Sequence, residues 1–198
     1  MKIKDFMYFY PEAPKLVNIE QPLFERFSLS KDWIAEKKYN EQRLQLHWWK
    51  DRQEYWNRHG AKLKYTPTLE IVDALQSLPC EGYCLFDAGL RHNKTIGVRN
   101  KIVIYDIYML DHELLLGLQY RKRREMLVDL FRTDGDPISI PEHYHIGFKR
   151  TFDQVTEDSE IEGLVMKNLN GMLDLNRKAP SKSKWMYKVR IPSGRYKF

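Results

Sequence analysis

The sequence predicts an α+β fold built of mainly antiparallel sheets flanked by helices, and three observations point there. Strand-like and helix-like stretches alternate irregularly, without the steady strand–helix period of a parallel sheet. The strand-like runs are short, and the run at residues 102–110 is rich in β-branched residues and tyrosine. Proline and glycine interrupt the chain often enough to separate these runs by turns.

Taken in order, residues 1–30 carry Pro11, Pro14 and Pro22 and read as an irregular lead-in with a short helix over residues 22–27. Residues 33–38 and 43–49 look like the two strands of a hairpin, separated by Tyr39-Asn40-Glu41-Gln42. Residues 69–78 place apolar side chains at helical spacing after the breaker Pro67. Residues 83–86, 102–110 and 161–167 are strand-like, and the segment around Leu118, Met126, Leu127, Leu130 and Phe131 has helical spacing. Its basic run, Arg121 to Arg124, is expected on the wet face of that helix. Pro137 and Pro141 mark a loop, residues 168–171 a turn, and residues 185–191 a last strand broken by Pro192 and Gly194. One domain over residues 1–198 is the simplest parse.

Composition excludes several classes. With 42% apolar and 30% charged residues over 198 positions, the chain is neither disordered nor collagen-like. No stretch approaches the roughly 18 apolar residues of a membrane span, and no apolar signal core follows Met1, so a cytoplasmic protein is expected. Cys80 and Cys84 lack a second Cys or His pair at matching spacing and read as reduced thiols. His143 and His145 likewise lack a third ligand and read as structural. The 33 Lys+Arg exceed the 27 Asp+Glu, and the excess is local: residues 175–198 hold eight basic residues and no acid. With Trp185, Tyr187 and Tyr196 among them, these cations suit a polyphosphate partner.

Three segments carry candidate chemistry. On a strand, Glu36, Lys38 and Asn40 share one face, so a lysine stands between a carboxylate and an amide. Such a lysine becomes a nucleophile once it loses its proton. Lys188 and Arg190, two apart, point the same way and form a clamp suited to a triphosphate. Glu162-Gly163-Leu164-Val165-Met166-Lys167 pairs an acid suited to Mg²⁺ with a lysine suited to phosphate. Strict alternation sets those two on opposite faces, so a bulge or strand end is required to bring them together.

Read together and in order, these segments resemble the covalent nucleotidyltransferase superfamily, and within it the ATP-dependent polynucleotide ligases. The run Glu36-Lys37-Lys38-Tyr39-Asn40-Glu41-Gln42-Arg43-Leu44-Gln45-Leu46-His47 is similar to the frame Glu-x-Lys-Tyr-Asp-Gly-x-Arg-x-Gln-x-His of DNA ligases. Asn57-Arg58-His59-Gly60 resembles the Ser-Arg-Asn-Gly element, and Leu85 to Leu90 falls where Leu-Asp-Gly-Glu-Leu stands in the family. Ile104-Tyr105-Asp106-Ile107 resembles the Phe-Asp-Ile strand, Glu162 to Lys167 the Glu-Gly-x-Val-x-Lys motif, and Lys188-Val189-Arg190 the closing Lys-x-Lys.

The resemblance implies a nucleotidyltransferase (ATP-grasp-like) domain with no C-terminal OB-fold within residues 1–198, and an enzyme that seals nucleic-acid strands with ATP and Mg²⁺. Lys38 would attack the α-phosphate and carry AMP. Glu36 would help to read the adenine and Tyr105 would stack on it. Arg43 and Arg58 would hold ribose or phosphate. Glu162 would act near Mg²⁺, with Lys167, Lys188 and Arg190 neutralising phosphates. Nicked DNA is the implied partner, RNA is an alternative, and an OB-fold domain or partner would complete the ligase. Departures from the frame are Asn40 for Asp, Glu41 for Gly and Gly89 for Glu, with Asp87 the nearest acid in sequence to take the place of the last. The alternatives are a GTP-using RNA capping enzyme, which uses the same lysine chemistry, and a ligase-like binding module without catalysis.

Overall fold

The computed structural model describes residues 6–92, 94, 97–133 and 135–191. Eleven strands and four helices follow one another as β1 (Ala13–Leu16), α1 (Pro22–Leu29), β2 (Trp33–Tyr39), β3 (Gln42–Trp49), β4 (Arg52–Asn57), α2 (Leu69–Gln76), β5 (Cys84–Arg91), β6 (Lys101–Leu110), β7 (Glu113–Leu114), α3 (Tyr120–Leu130), β8 (Ile138–Ser139), β9 (His143–Tyr144), α4 (Phe148–Val155), β10 (Ile161–Asn168) and β11 (Lys182–Arg190). They form two sheets. One runs β1-β11-β10-β2-β9, the other β4-β3-β5-β6-β7 with β8 added beside β6. All pairings are antiparallel except β1 with β11 and β6 with β8. The expected α+β architecture is the one observed.

Side-chain alternation builds the layers. In β2, Ile34 faces the space between the sheets, where it joins Leu85, Tyr108, Met109, Trp185 and Met186. Its neighbour Ala35 faces outward and packs with Leu164, Met166 and Val189 under Phe24 and Phe27 of α1 and Phe148 and Phe152 of α4. On the other sheet, Leu44, Leu46, Phe86, Ala88 and Ile104 turn outward to Ile71 and Leu75 of α2 and Leu127 of α3. Each sheet is thus roofed by helices on its outer face, and the inner faces oppose one another. Burying a side chain of this size contributes about 1.5–3 kcal/mol each, which is why the central strands are apolar on the helix side.

Three expectations about local structure need correction. The lead-in is not irregular: β1 adds a parallel edge strand to β11, and the helix after it runs on to Leu29. β2 and β3 do not form a hairpin although only Asn40 and Glu41 separate them. Tyr39 pairs with Ile161 of β10, whereas Gln42 pairs with Leu90 of β5, so the chain steps from one sheet to the other. A strand has two edges, and here all four are taken by other partners: β10 and β9 for β2, β4 and β5 for β3. Finally, only half of the run Arg121 to Arg124 is wet. Arg121 and Lys122 are exposed, but Arg123 and Arg124 are buried, because buried carboxylates beneath the helix receive them. The Pro192 and Gly194 break, and Arg195, Tyr196 and Lys197 of the basic segment, lie outside the described residues.

Candidate active site

The facing sheets enclose a cavity of about 830 Å³, within the range of small-molecule sites. β2 supplies Glu36 and Lys38, β3 Arg43, the turn after β4 Arg58, and β5 Asp87. β6 supplies Tyr105, β10 Glu162 and Lys167, and β11 Lys188 and Arg190. Every site residue expected from the sequence therefore stands on one cavity wall.

Period two delivers most of them. Ile34, Glu36 and Lys38 follow one another on the inner face of β2, and Met186, Lys188 and Arg190 do so on β11. β10 needs more, since Glu162 and Lys167 belong to opposite faces of a regular strand. The register against β2 slips between Ile161 and Gly163, and Gly163 takes φ 150°. A Cβ there would lie 2.1 Å from the Val189 carbonyl oxygen, so only glycine fits. That bulge brings Glu162 onto the same wall as Lys167.

The wall groups are tied to one another. Lys38 Nζ is ion-paired with Glu162. Arg43 donates Nε to Asp87 Oδ1 at 2.9 Å and Nη2 to Oδ2 at 2.6 Å, while its Nη1 reaches the Glu12 carbonyl at 2.7 Å. Glu36, 1% exposed, forms the deepest part of the wall. Lys167 Nζ lies 2.7 Å from its Oε2, Arg124 Nη1 donates to its Oε1 at 2.8 Å, and the Tyr120 hydroxyl donates to the same oxygen. Burial by itself would raise this carboxyl, but Lys167 and Arg124 together hold it below the usual range. Lys167 also donates to the Tyr105 carbonyl at 2.8 Å, which anchors that aromatic. Lys188 is held below the ordinary lysine range, first by partial burial and then by the neighbouring charges of Lys38 and Arg190. A cavity rimmed by Lys38, Arg43, Arg58, Lys188 and Arg190 favours an anion of several charges.

Asp106, Lys94 and His59 also line the cavity, and none was singled out as a wall residue from the sequence. Neither was Glu41, although its departure from the motif frame was visible. The acid closest to Gly89 is this glutamate and not Asp87, whose carboxylate is taken by Arg43. Position 41 needs no positive φ, so glutamate is accommodated there without backbone strain. Elsewhere, Cys80 and Cys84 are unbridged. Their sulfurs and the Asp111 carboxylate lie within 4.8 Å of one another, and none of the three lines the cavity. His143 packs edge-to-face on His145 and contacts Arg124 Nη2 at 2.7 Å.

A family model for the ATP dependent DNA ligase domain matches residues 90–190, just over half of the chain. This chain belongs to that family. The matched span begins in β5 and holds Tyr105, Glu162, Lys167, Lys188 and Arg190. No curated protein matches the chain. Among solved structures, a mycobacterial DNA ligase D complexed with ATP is similar at TM-score 0.65 and 15% identity, over 89% of this chain and 60% of that one. The ATP-dependent DNA ligase of bacteriophage T7, in complex with ATP, gives 0.58 and 16%, over 89% and 67%. An RNA ligase of Naegleria gruberi gives 0.50 and 14%, over 96% and 58%. Such identities establish a shared fold. The ligase domain described here spans about 60% of the length of the mycobacterial ligase D. No helix among the described residues is long and apolar enough to cross a membrane.

Proposed function

We propose that this ligase domain transfers AMP from ATP to Lys38, passes it to a 5′-phosphate of nicked DNA, and directs strand closure. The observation that carries the reading is the placement of Lys38 in the lining of a cavity of about 830 Å³, together with Arg43, Arg58, Lys188, Arg190 and Tyr105. In the first step the uncharged Lys38 amine attacks the α-phosphorus. The N–P bond forms, the P–O bond to the β-phosphate breaks, pyrophosphate leaves, and the amine proton is lost to solvent. Arg43, Arg58, Lys188 and Arg190 are placed to offset charge gathering on the phosphate oxygens. Tyr105 offers a ring face to the base, and the Lys167–Glu36 pair holds that part of the wall rigid.

Mg²⁺ fits this site through Glu162, a largely shielded carboxylate on the wall whose side chain is 15% exposed. Hard cations take one or two carboxylates and complete their shell with phosphate oxygens. When bound, the ion would neutralise phosphate charge and would compete with Lys38 for the same carboxylate. In the second step an oxygen of the 5′-phosphate attacks the AMP phosphorus, the Lys38 N–P bond breaks and the amine is freed with a proton from solvent. In the third a 3′-hydroxyl attacks the 5′-phosphorus, its proton goes to solvent, the pyrophosphate bond breaks and AMP leaves. We read residues 1–198 as one adenylation unit of a cytoplasmic ligase, completed by an OB-fold domain or partner.

Intact mass after incubation with ATP and Mg²⁺ tests this directly. A gain of one AMP that disappears in Lys38→Ala is the expected result, and an adduct that survives the substitution overturns it. Gel assays on nicked DNA, nicked RNA and hybrid duplexes then test the substrate. Sealing of RNA alone, or an adduct with GTP alone, would replace the DNA ligase reading.

A further inference from the structure

Folding brings two thiols and a carboxylate together outside the cavity. Leu85 of β5 pairs with Met109 of β6, so Cys84, at the start of β5, meets the turn Asp111-His112 that follows β6. Both turn residues take positive φ, 47° and 68°. The segment before β5 wraps closely on that turn: a Cβ on Gly82 would overlap the His112 ring, and the His112 N–H donates to the Tyr83 carbonyl at 2.9 Å. Cys80 and Cys84 lack a further ligand in their own stretch of sequence, and the sheet register supplies one from the far end of β6.

The three side chains are arranged as ligands. Their sulfurs and a carboxylate oxygen all lie within 4.8 Å of one another. Tetrahedral zinc, with bonds of about 2.3 Å to sulfur and about 2.0–2.2 Å to oxygen, sets such atoms about 3.6–3.8 Å apart, a side-chain adjustment away. Backbone donors fix their orientation: the Glu81 and Gly82 N–H groups each reach Asp111 Oδ1 at 2.8 Å, and the Asp111 N–H reaches Cys84 Sγ at 3.5 Å. Hydrogen bonds of this kind hold the donors of a metal site in place. Cys80 and Cys84 are buried in the same apolar cluster as Leu75 and Leu78, whereas Asp111 is half-buried and leaves an approach from solvent.

The donor set selects the ion. Two thiolates disfavour magnesium and calcium, which take oxygen, and a carboxylate disfavours copper(I), which takes sulfur; thiolate and carboxylate together suit zinc. We propose that Cys80, Cys84 and Asp111 bind Zn²⁺, with water in the fourth position, and that the ion clamps the entry to β5 against the end of β6. Both thiols lose their protons to solvent as the Zn–S bonds form, and no electron is transferred. The two strands carry Asp87 and Tyr105 into the cavity, while none of the three ligands lines it, so the clamp is separate from the adenylation chemistry.

Titration of the metal-free, reduced full chain with Zn²⁺ alone tests this, read by native mass and by competition with a chromophoric chelator. One ion per chain is expected, and its binding should block alkylation of both cysteines. Co²⁺ in its place should give the intense near-ultraviolet band of thiolate-to-cobalt charge transfer. Cys80→Ser/Cys84→Ser should abolish binding. Asp111→Asn keeps an oxygen for the two backbone donors while removing the charge, so it should fold. Outer-shell losses alone weaken metal affinity about 10–100-fold, so this loss of a ligand should weaken zinc binding by about tenfold or more. Absence of zinc binding by the parent, binding that leaves the thiols reactive, or binding that survives either the cysteine substitutions or Asp111→Asn unchanged overturns the proposal. Thiol protection in the parent and the Asp111→Asn affinity decide the matter if the cysteine variant does not fold.

Discussion

Arg123 and Asp106 meet as a two-point fork inside the protein, with Nε to Oδ1 at 2.8 Å and Nη2 to Oδ2 at 3.0 Å. The arginine is fully buried, and its remaining Nη1 donates to the Gly171 carbonyl at 3.2 Å and to the Leu118 carbonyl. It therefore joins α3, β6 and the turn after β10. Removing one partner of such a pair strands the other charge without solvent, a loss of about 3–5 kcal/mol. Arg123→Met should lower stability by that order in urea denaturation. Arg123→Met/Asp106→Leu should lose less than the single variant, because no charge is left unpaired. A double variant that loses the sum of both singles would show that the fork is not a coupled unit.

The bulge at Gly163 positions Glu162, so it can be tested through the backbone. Gly163→Ala brings a methyl group to within 2.1 Å of the Val189 carbonyl oxygen at a φ of 150°. Strain at such a backbone position costs about 1–3 kcal/mol. Thermal unfolding should register a loss of at least that size, and adenylate formation should slow as Glu162 leaves the wall. Unchanged adenylation in a destabilised variant would separate Glu162 from the reaction.

Acid sensitivity has an identified source in His47. The side chain is fully buried, with Nδ1 2.6 Å from the Tyr83 hydroxyl, and burial lowers its pKa to about 3 from 6.5. Between those values the unfolded chain binds a proton that the folded one refuses. Stability therefore rises with pH across that window and is lost as pH falls from about 6.5 toward 3. His47→Gln should flatten this part of the pH–stability curve, measured by denaturant midpoints from pH 4 to 8. A curve of unchanged slope would assign the acid loss to other groups.

Nucleic-acid affinity should fall steeply with salt. Each lysine or arginine contact to a duplex phosphate contributes about −0.9 to the slope of log K against log [salt]. Lys188→Ala should reduce that slope by about 1 if Lys188 meets a phosphate of the strand. A flat response between low and moderate salt would remove the basic C-terminal segment from the binding surface.

Much of this molecule is legible one residue at a time. The even positions of β2 and β11 put Lys38, Lys188 and Arg190 on inner faces by period two alone, and the ordered motifs placed Arg43, Tyr105 and Glu162 with them. What escaped was whatever depended on partners distant in sequence. Nothing local distinguishes Arg123 from Lys122, yet one is buried because Asp106 lies beneath it and the other is wet. The four-residue gap Tyr39-Asn40-Glu41-Gln42 reads as a hairpin turn until the edges of β10 and β5 capture its strands.

Glu41 shows the division most plainly. Set beside the ligase frame that it resembles, the sequence bears an acid at position 41 where the frame has glycine, and a glycine at position 89 where the frame has an acid. Side-chain chemistry and strand periodicity are properties of the chain, and they settled the inner faces, the lysine and the cations. Only folding decided that 41 and 89 occupy one space, because that depends on how β3 and β5 lie side by side and how far a glutamate reaches across them.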